Sequence, residues 1–487
     1  MAFNPDWLQT LAGRPELLTP DEMARADAAS PSLGTPVATL MANAGRAVAR
    51  ATMQRYRPCR TLVLAGPGNN GGDGYVAAQL LQQNGWPVAL AALAPPRGDA
   101  AEAAAHWHGP SASFTPAEAA RAVLVIDAVF GAGLARDIEG PVAETLRAAR
   151  RVVAVDVPSG LDGATGSVRG YAPQAALTVS FFRLKPGHLL LPGRELCGET
   201  VLADIGLPRA ALQPAGPTIF ANLPELWRIP APGAHSHKYS RGHVTVVGGA
   251  TMTGAARLSA DAARRGGAGL VTIAALGRGD IYRSGSPGVL VSDAPLAELL
   301  DDRRRQVWIC GPGLGPDAAR TTLPILLAAG RCVVADADVF SAFAGQPDAL
   351  RGAAVLTPHA GEFARTFGDP GADRIAAARA AAARTGSVVL LKGADTIIAG
   401  PDGRVAINAS APPWLATAGS GDVLAGLIAG LLAQGMPPWD AAAAGAYVHG
   451  RAAVHAGPGL VVEDLLPSLT PSLVEATCQS HLSPIRI

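Results

Sequence analysis

The chain has 487 residues, of which 49% are hydrophobic, and a formal net charge of +1. At about 150 residues per domain this length allows two or three domains, and the near-neutral charge argues against partners such as nucleic acid or an anionic membrane surface. Five scattered cysteines without a CxxC pair argue against a disulfide framework or a structural zinc site and favour a reducing compartment.

Nothing in the sequence predicts secretion or a membrane anchor. The first six residues, Met-Ala-Phe-Asn-Pro-Asp, have neither a basic region nor an apolar core, so no secretory signal is expected. The longest apolar helix candidate, Val423 to Ala433, is too short to span a bilayer. These features predict a cytoplasmic enzyme that acts on small molecules.

The first half of the chain predicts an α/β domain. Residues 19–56 predict two helices, with Thr19 as the first N-cap and Pro20 at the first helical position. Short apolar runs then alternate with helix-sized segments, which is typical of βαβ units and a mostly parallel sheet. The runs are Leu62–Ala65, Val88–Leu93, Val123–Ile126, Val152–Val155 and Leu177–Phe182.

A glycine-rich turn, residues 66–74, follows the first of these runs and precedes a helical pattern. Backbone N–H groups converge on an anion where a strand, such a turn and a helix start meet. The alternative is a glycine-rich surface turn, which would be the better interpretation of a single GxG. A second segment of this kind, residues 417–422, opens another helix far downstream. Two such turns favour two ligand sites.

Polar residues stand at the ends of three predicted strands of the first half. Asn69, Asn70 and Asp73 follow the first strand, Asp127 the third and Asp156 the fourth. Taken singly, an aspartate at a strand end is more often a cap or a turn former. Ligands of open α/β sheets bind outside the carboxyl ends of the strands, so three such ends predict one site. Hard oxygen ligands suit an alkali or alkaline-earth cation and not zinc.

Three segments carry a family resemblance. The sequences GPGNNGGDG (66–74), DAVFGAGLAR (127–136) and AVDVPSGLDGATG (154–166) resemble, in order and spacing, the signature blocks of the NAD(P)H-hydrate epimerase family, over roughly residues 10–215. The resemblance implies a K⁺ ion held by Asn70, Asp127 and Ser159, with Asp156 against the reacting ring as the catalytic acid/base. It further implies that the dinucleotide is bound by Asn69, Asn70, Gly71, Gly72, Asp73, Gly131, Ala132, Gly133, Leu134, Ala135, Arg136, Asp137 and Asp156.

The pattern changes in residues 203–240, which are rich in proline and glycine. This composition predicts a linker with extended segments. The predicted division is a first domain over 1–215, a linker over 216–235 and a second domain over 236–487. The pair His235 and His237 predicts a solvated loop and not a metal site, because no third ligand is near.

Apolar runs recur in the second half without aligning with those of the first, which predicts a different α/β fold. They are Val244–Val247, Leu270–Ala274, Val307–Cys310, Cys332–Ala335, Val355–Leu356 and Val388–Leu391. Residues 392–396 are predicted to join the last run to a further strand, Ile397–Ala399. Taken alone, this segment fits an ordinary hairpin with a surface lysine equally well.

The segment TAGSGD (417–422) predicts a site at a helix start. Gly419 and Gly421 leave backbone N–H groups uncovered there, and Asp422 stands beside them. An aspartate in this position often only complements the helix dipole, worth ~0.3–1 kcal/mol. Next to an anion hole, however, it accepts a hydroxyl proton while the amides hold a transferring phosphoryl group.

The second half resembles the ribokinase-like superfamily, and within it the ADP-dependent NAD(P)H-hydrate dehydratases, over about residues 225–485. The matching segments are GATMTGAA (249–256), GPGLG (311–315), TPHAGE (357–362), KGADT (392–396) and TAGSGD (417–422). By this resemblance the AMP part of the nucleotide is contacted by Lys392, Gly393, Ala394, Asp395, Thr396 and Gly421, and the hydrated nicotinamide by Ala255, Gly315, His359 and the catalytic Asp422. For His359 the alternative is a first-turn residue of a helix capped by Thr357 and opened by Pro358.

Together the two halves resemble the bifunctional NAD(P)H-hydrate repair enzymes. The resemblance implies two three-layer αβα domains, an N-terminal Rossmann-like domain with a mostly parallel sheet and a C-terminal ribokinase-like domain. Hydrated NADH or NADPH carries a hydroxyl on C6, beside the ring nitrogen, and exists as R and S epimers. The first domain would interconvert them, and the second would dehydrate the S form with ADP, and with Mg²⁺, to NAD(P)H, AMP and phosphate. A homo-oligomer is expected. The alternative is a small-alcohol or vitamin-precursor kinase with a non-catalytic N-terminal ligand-binding domain.

Overall fold

The structure, a computed structural model, describes residues 10–482. The N-terminal stretch, in which no secretory signal is expected, lies largely outside these residues. The chain divides into two compact units, one formed by Glu16–Ile219 and the other mainly by the residues from Phe220 onward. In the described part of the chain, no helix is both long and apolar enough to cross a membrane.

The first unit alternates strands and helices as predicted. Its strands are β1 (Glu16–Leu17), β2 (Thr61–Ala65), β3 (Val88–Ala92), β4 (Leu124–Ala128), β5 (Val152–Val155), β6 (Leu177–Phe181) and β7 (Glu199–Ala203). Its helices are α1 (Pro20–Ala29), α2 (Val37–Arg55), α3 (Asn69–Gln83), α4 (Asp99–Ala105), α5 (Pro116–Arg121), α6 (Gly140–Ala148), α7 (Gly193–Leu196) and α8 (Leu212–Ala215). The sheet has the order β3-β2-β4-β5-β6-β7, and each neighbouring pair is parallel. The predicted parallel sheet is confirmed.

Successive side chains of β2 pack alternately into two apolar clusters, which shows that helices cover both faces of this sheet. Leu62 and Leu64 belong to the apolar cluster shared with α5 and α6, whereas Val63 and Ala65 belong to the cluster shared with α2 and α3. Successive side chains of a strand point to opposite faces, so the first unit has the three layers expected. At its entrance Thr19 caps α1 as predicted, because its hydroxyl accepts from the Glu22 N–H and Glu22 accepts in return.

One prediction for the first unit was wrong in detail, and one strand was missed. Asp127 does not follow β4 but lies inside it, paired with Leu64 of β2 and Ala154 of β5. The strand tolerates the carboxylate because Ser159 donates hydrogen bonds to it. Strand β7 was not predicted, since its sequence Glu-Thr-Val-Leu-Ala is only partly buried at the sheet edge and forms no continuous apolar run.

The second unit is organised around a larger mixed sheet. Its strands are β8 (Ile219–Ala221), β9 (His243–Val247), β10 (Leu270–Ala274), β11 (Leu290–Ser292), β12 (Val307–Cys310), β13 (Cys332–Ala335), β14 (Val355–Leu356), β15 (Val388–Leu391), β16 (Thr396–Ala399) and β17 (Val405–Asn408). Its helices are α9 (Thr253–Arg265), α10 (Leu296–Asp301), α11 (Pro316–Ala328), α12 (Asp338–Ala342), α13 (Ala360–Phe367), α14 (Arg374–Thr385), α15 (Ser420–Ala433), α16 (Pro438–Ala456) and α17 (Val462–Leu482). Neighbouring strands follow the order β8-β17-β16-β15-β14-β13-β12-β9-β10-β11.

Strand direction changes once the sheet reaches β15. The pairs from β15 to β11 are parallel, while β15, β16 and β17 pair antiparallel. The predicted hairpin after β15 is therefore confirmed, and β17 extends it. Strand β8 lies in the span expected to be a linker, 216–235. The apolar helix α15 is buried from Val423 to Leu432, which explains its composition without a membrane.

Candidate functional sites

The first unit contains a cavity of about 720 Å³ at the carboxyl ends of its central strands. It brings together the glycine turn, the segment after β4 and the residue after β5. Of the predicted binding residues, those that line it are Asn69, Asn70, Asp73, Gly131, Gly133, Leu134, Ala135, Arg136 and Asp156. Of the remaining predicted residues, Gly71, Gly72 and Ala132 are buried and Asp137 is exposed.

The glycines of the turn are required by packing as well as by ligand access. A Cβ atom on Gly71 would lie 1.9 Å from the carbonyl oxygen of Gly66. One on Gly72 would lie 2.6 Å from the Met41 sulfur. Gly71 therefore lets α3 start directly against the end of β2, and Gly72 lets it pack closely on α2, so that the first N–H groups of α3 are aimed at the cavity.

Asp156 is the most constrained residue of this cavity. Its φ of 66° is a left-handed value that aspartate adopts only at a cost. Its Oδ1 accepts from Lys185 Nζ at 2.5 Å and from Ser180 Oγ at 3.1 Å, and its Oδ2 from the Ala132 N–H at 3.3 Å. Burial works against the charge, but the Lys185 ammonium outweighs it and holds the pKa of Asp156 below its ordinary value. The carboxyl is therefore ionised and available as a base.

His188 fixes the main chain around this pair. Its Nδ1 accepts from the Lys185 N–H at 3.0 Å, and its Nε2 lies 2.9 Å from the Asp156 carbonyl oxygen, to which it donates. Burial, reinforced by Lys185, lowers the pKa of His188 to about 4, so the ring is neutral and both partners define its tautomer. Sequence reasoning missed Lys185 and His188. The available signal was their position just after β6, at the same sheet edge.

Two further carboxyl groups face the cavity. Burial raises the pKa of Asp73 well above its ordinary value, and Asp156 and Asp27 add to the rise. Burial likewise raises the pKa of Asp27, on α1, to about 6. The cavity thus places carboxyl groups with opposite pKa shifts side by side, an arrangement that divides acid and base roles in enzymes.

Two of the three predicted cation ligands, Asp127 and Ser159, are in direct contact with each other. Asp127 is fully buried, and its oxygens accept from the Ser159 hydroxyl at 2.6 Å and the Ser159 N–H at 2.8 Å. Burial raises the pKa of Asp127 to about 6. Asn70 lines the cavity itself, and within residues 10–482 its buried amide nitrogen has no hydrogen-bond partner. A carboxylate, a hydroxyl and an amide oxygen fit the requirements of K⁺.

The second unit contains a cavity of about 500 Å³ at the carboxyl ends of β13 and β15 and at the N-terminus of α15. The predicted residues that line it are His359, Lys392, Gly393, Ala394, Thr396, Gly421 and Asp422. Other predicted residues have different surroundings. Asp395 is buried in an ion pair with Arg374, the Gly315 N–H donates to Asp338 at 2.8 Å, and Ala255 is buried on α9.

Lys392 is not the surface lysine of an ordinary hairpin. Its Nζ lies 2.7 Å from Asp336 Oδ1 and 3.6 Å from Glu362 Oε2. Burial opposes the ammonium charge, but Asp336, Glu362 and Asp422 raise the pKa of Lys392 above its ordinary value. A permanent positive charge therefore stands in this cavity, where a phosphate would be neutralised.

Asp422 lies beside the uncovered N–H groups of α15. Gly419 precedes the helix with φ 85°, a conformation that favours glycine. No side chain caps the helix start, while the Ser420 N–H donates to the Thr417 carbonyl oxygen at 3.3 Å. Burial raises the pKa of Asp422 to about 7; Asp336 and Asp338 add to the rise and Lys392 opposes it. A carboxyl that titrates near neutrality is well matched to accept a proton during catalysis.

His359 differs from the alternative given above. Helix α13 begins at Ala360, and its N-cap is His359 itself, not Thr357. The ring Nδ1 accepts from the N–H groups of Gly361 and Glu362 at 3.0 and 3.2 Å, while the Glu362 carboxylate accepts from the His359 N–H at 2.7 Å. The residue both caps the helix and lines the cavity, and its Nε2 lies 3.5 Å from Glu362 Oε1.

The far wall of the second cavity was not predicted. It is apolar and is formed by Ala411, Pro412, Pro413, Leu415 and Ala446. His449 of α16 also lines it, and burial lowers the pKa of His449 to about 4. Residues 411–415 follow β17, a strand that was not predicted, and Ala446 and His449 lie on α16, so no pattern in the sequence indicated them. Among the described residues no group of three His, Cys, Asp or Glu side chains is arranged to hold a metal ion, and His235 and His237 lie in an exposed loop.

Comparison with known proteins matches both units. A family profile described as NAD(P)H-hydrate dehydratase matches residues 244–470, and one described as YjeF-related protein N-terminus matches residues 37–187. The bifunctional NAD(P)H-hydrate repair enzyme Nnr of Moorella thermoacetica is 39% identical, over 90% of this chain and 91% of its own. The enzyme of the same name from Mycobacterium tuberculosis strain CDC 1551 is 40% identical, over 79% of this chain and 80% of its own. A solved ADP/ATP-dependent NAD(P)H-hydrate dehydratase from Bacillus subtilis is 27% identical and covers 52% of this chain and 96% of its own, with a TM-score of 0.46.

Proposed function

The chain belongs to the family of bifunctional NAD(P)H-hydrate repair enzymes, and from this premise we propose that its two cavities perform the two steps of that repair. The unit Glu16–Ile219 interconverts the R and S hydrates of NADH and NADPH. The unit from Phe220 onward dehydrates the S hydrate with ADP. The observation that carries the proposal is Asp422, a carboxyl with a pKa of about 7 in one cavity with Lys392 and at a helix N-terminus that no side chain caps.

In the first cavity the hydrated ring lies against Asp156, which exchanges protons with the substrate. The N–H groups at the start of α3 bind the pyrophosphate, and residues 131–136 close over the dinucleotide. Asn70, Asp127 and Ser159 would hold a K⁺ ion, whose fixed charge would help to orient the phosphates. Support for this arrangement is the convergence of the turn, the post-β4 segment and Asp156 on one cavity.

In the second cavity Asp422 takes the proton of the C6 hydroxyl, whose oxygen attacks the β-phosphate of ADP. The amides at residues 419–421 stabilise the charge of the transferring group, and Lys392 with residues 393–396 contacts the AMP part. AMP leaves as the bond between the β-phosphorus and the bridging oxygen breaks. The lone pair of the ring nitrogen then expels phosphate as an iminium forms, and loss of a proton from C5 restores the dihydropyridine. A Mg²⁺ ion bound with ADP would neutralise phosphate charge.

Product stoichiometry tests the dehydration step. The purified protein is incubated with S hydrate and ADP, and NADH, AMP and phosphate are quantified. The proposal predicts one AMP and one phosphate for each NADH formed. Accumulation of a stable phosphoester from simple alcohols or vitamin precursors, without NADH formation from the hydrate, would instead identify the kinase alternative. A cytoplasmic location and a homo-oligomeric state stay predictions of the sequence.

A further inference from the structure

The ammonium of Lys185 has one N–H group more than its ion pair with Asp156 and its hydrogen bond to Ser180 use. Its ammonium donates to Asp156 Oδ1 at 2.5 Å and to Ser180 Oγ at 3.2 Å. An ammonium has three N–H groups, and in the described part of the chain no protein acceptor is assigned to the third. Lys185 is 2% exposed, yet it lines the cavity together with Asp156. The remaining N–H is therefore available to a bound substrate.

The main chain holds this pair in place at a cost. Asp156 keeps a left-handed φ of 66°, a strained conformation for a residue other than glycine. The neutral His188 ring bridges the two residues, since it accepts from the Lys185 N–H and donates to the Asp156 carbonyl. Strain of this kind persists where the surroundings impose it, and it is concentrated at functional sites. A pair that served stability alone would not require it.

We propose that Lys185 is a second catalytic residue of the first cavity, the proton donor to the ring nitrogen while Asp156 accepts the proton of the C6 hydroxyl; this inference rests on the proposed epimerase function. The C6–N1 bond breaks and its electron pair goes to N1, which takes a proton from Lys185. The C6–O bond becomes a carbonyl as the hydroxyl proton passes to Asp156. Rotation about C5–C6 presents the other face of the carbonyl. Reversal of both transfers closes the ring as the opposite epimer and restores the ammonium and the carboxylate.

Other titratable groups around the pair are less suited to this role. His188 is neutral and uses both ring nitrogens on the main chain. Asp27 and Asp73 face the pair from α1 and α3, but neither makes a hydrogen bond to Asp156 that would couple the two transfers. Adjacent donor and acceptor groups let a reaction without net proton change run without a proton from solvent.

Two substitutions test Lys185 separately from its charge. Lys185→Arg keeps a cation beside Asp156 but is a poor proton donor, because a guanidinium does not deprotonate in proteins. Lys185→Met removes both the positive charge and the proton donor. We expect kcat for R-to-S conversion to fall by about 10²–10⁴-fold in both variants, with KM little changed. ADP-dependent dehydration by the same chains reports only that the other unit is folded. A denaturant-unfolding midpoint of the unit Glu16–Ile219 that Lys185→Arg leaves unchanged shows that the unit carrying the substitution is folded as well. Near-normal kcat in Lys185→Arg would overturn the inference and leave Lys185 a positioning charge.

An isotope measurement on the unmodified protein needs no variant to fold. In water enriched in ¹⁸O, ring opening keeps the C6 oxygen in most conversions. The rate of R-to-S conversion is therefore expected to exceed the rate at which ¹⁸O is incorporated at C6. Uptake of one ¹⁸O with every conversion would mean that the C–O bond breaks and would overturn proton delivery to nitrogen. If the unmodified protein does not accelerate equilibration of the epimers at all, the proposed function itself fails, which is a different result from either outcome above.

Discussion

Replacing Asp422 with asparagine removes the proposed base of the second cavity while preserving the size of the side chain. The carboxyl stands among Asp336, Asp338 and Lys392, with a pKa raised to about 7 mainly by burial. Because its charge is poorly stabilised in the free protein, the neutral amide is expected to leave the folded state intact. Loss of Asp422 therefore acts on the reaction and not on the fold.

The size of the effect follows from the role of a general base. Such groups contribute about 10²–10⁴-fold to a rate, which at about 1.36 kcal/mol per factor of ten corresponds to ~2.7–5.4 kcal/mol of barrier. We expect kcat for NADH formation from the S hydrate and ADP to fall by at least about a hundredfold. Conversion between epimers without ADP is expected to be unchanged, because Asp156 and its cavity belong to the other unit.

The matched control is Asp348→Asn, which removes an exposed carboxylate paired with Arg384 and Arg351 in the same unit. Exposed pairs contribute only about 0–1 kcal/mol, so dehydration is expected to stay near normal. The assay follows dihydropyridine absorbance and, by chromatography, both epimers. A loss below tenfold in Asp422→Asn would refute the assignment of the base, and equal loss of both activities would refute the division between the cavities.

Three other outcomes are expected. The kcat/KM for dehydration should rise with pH up to about 7 and then level, because Asp422 is protonated and inactive below its raised pKa; a flat profile from pH 5 to 9 would contradict this. Lys392→Met leaves the buried Asp336 without the partner 2.7 Å away and should destabilise the second unit by about 3–5 kcal/mol in denaturant unfolding, so an unchanged midpoint would count against the ion pair. Gly71→Ala places a Cβ atom 1.9 Å from the Gly66 carbonyl oxygen and should abolish epimerisation while sparing dehydration. Full epimerase activity would show that the turn can shift to accommodate the added methyl group.

The parallel sheets were predictable because buried strands of this kind are short apolar runs. Residues 61–65 and 388–391 are buried at every position, and such runs carry their own signal. Edge strands do not carry this sequence signal. Residues 199–203 and 290–292 are partly or wholly exposed, so neither segment is a run that burial requires to be apolar throughout.

The site residues were predictable where they belong to a short, recognisable sequence segment. The glycine turn at residues 66–74 and the segment 417–422 stand out because ordinary packing rarely needs so many glycines at a helix start. Lys185 and His188 leave no such mark, since only the pairing of β6 with β5 carries them to Asp156. The same is true of the apolar wall of the second cavity, which α16 and residues 411–415 build by tertiary contact.

The fate of the R hydrate tests most directly whether one chain holds two cooperating sites. Pure R hydrate is incubated with the protein, first without and then with ADP, and both epimers and NADH are resolved by chromatography. Without ADP the account predicts equilibration of R and S with no change in their sum; with ADP it predicts complete conversion to NADH. An R hydrate that stays unconverted in both cases, while the S hydrate is dehydrated, would contradict the account.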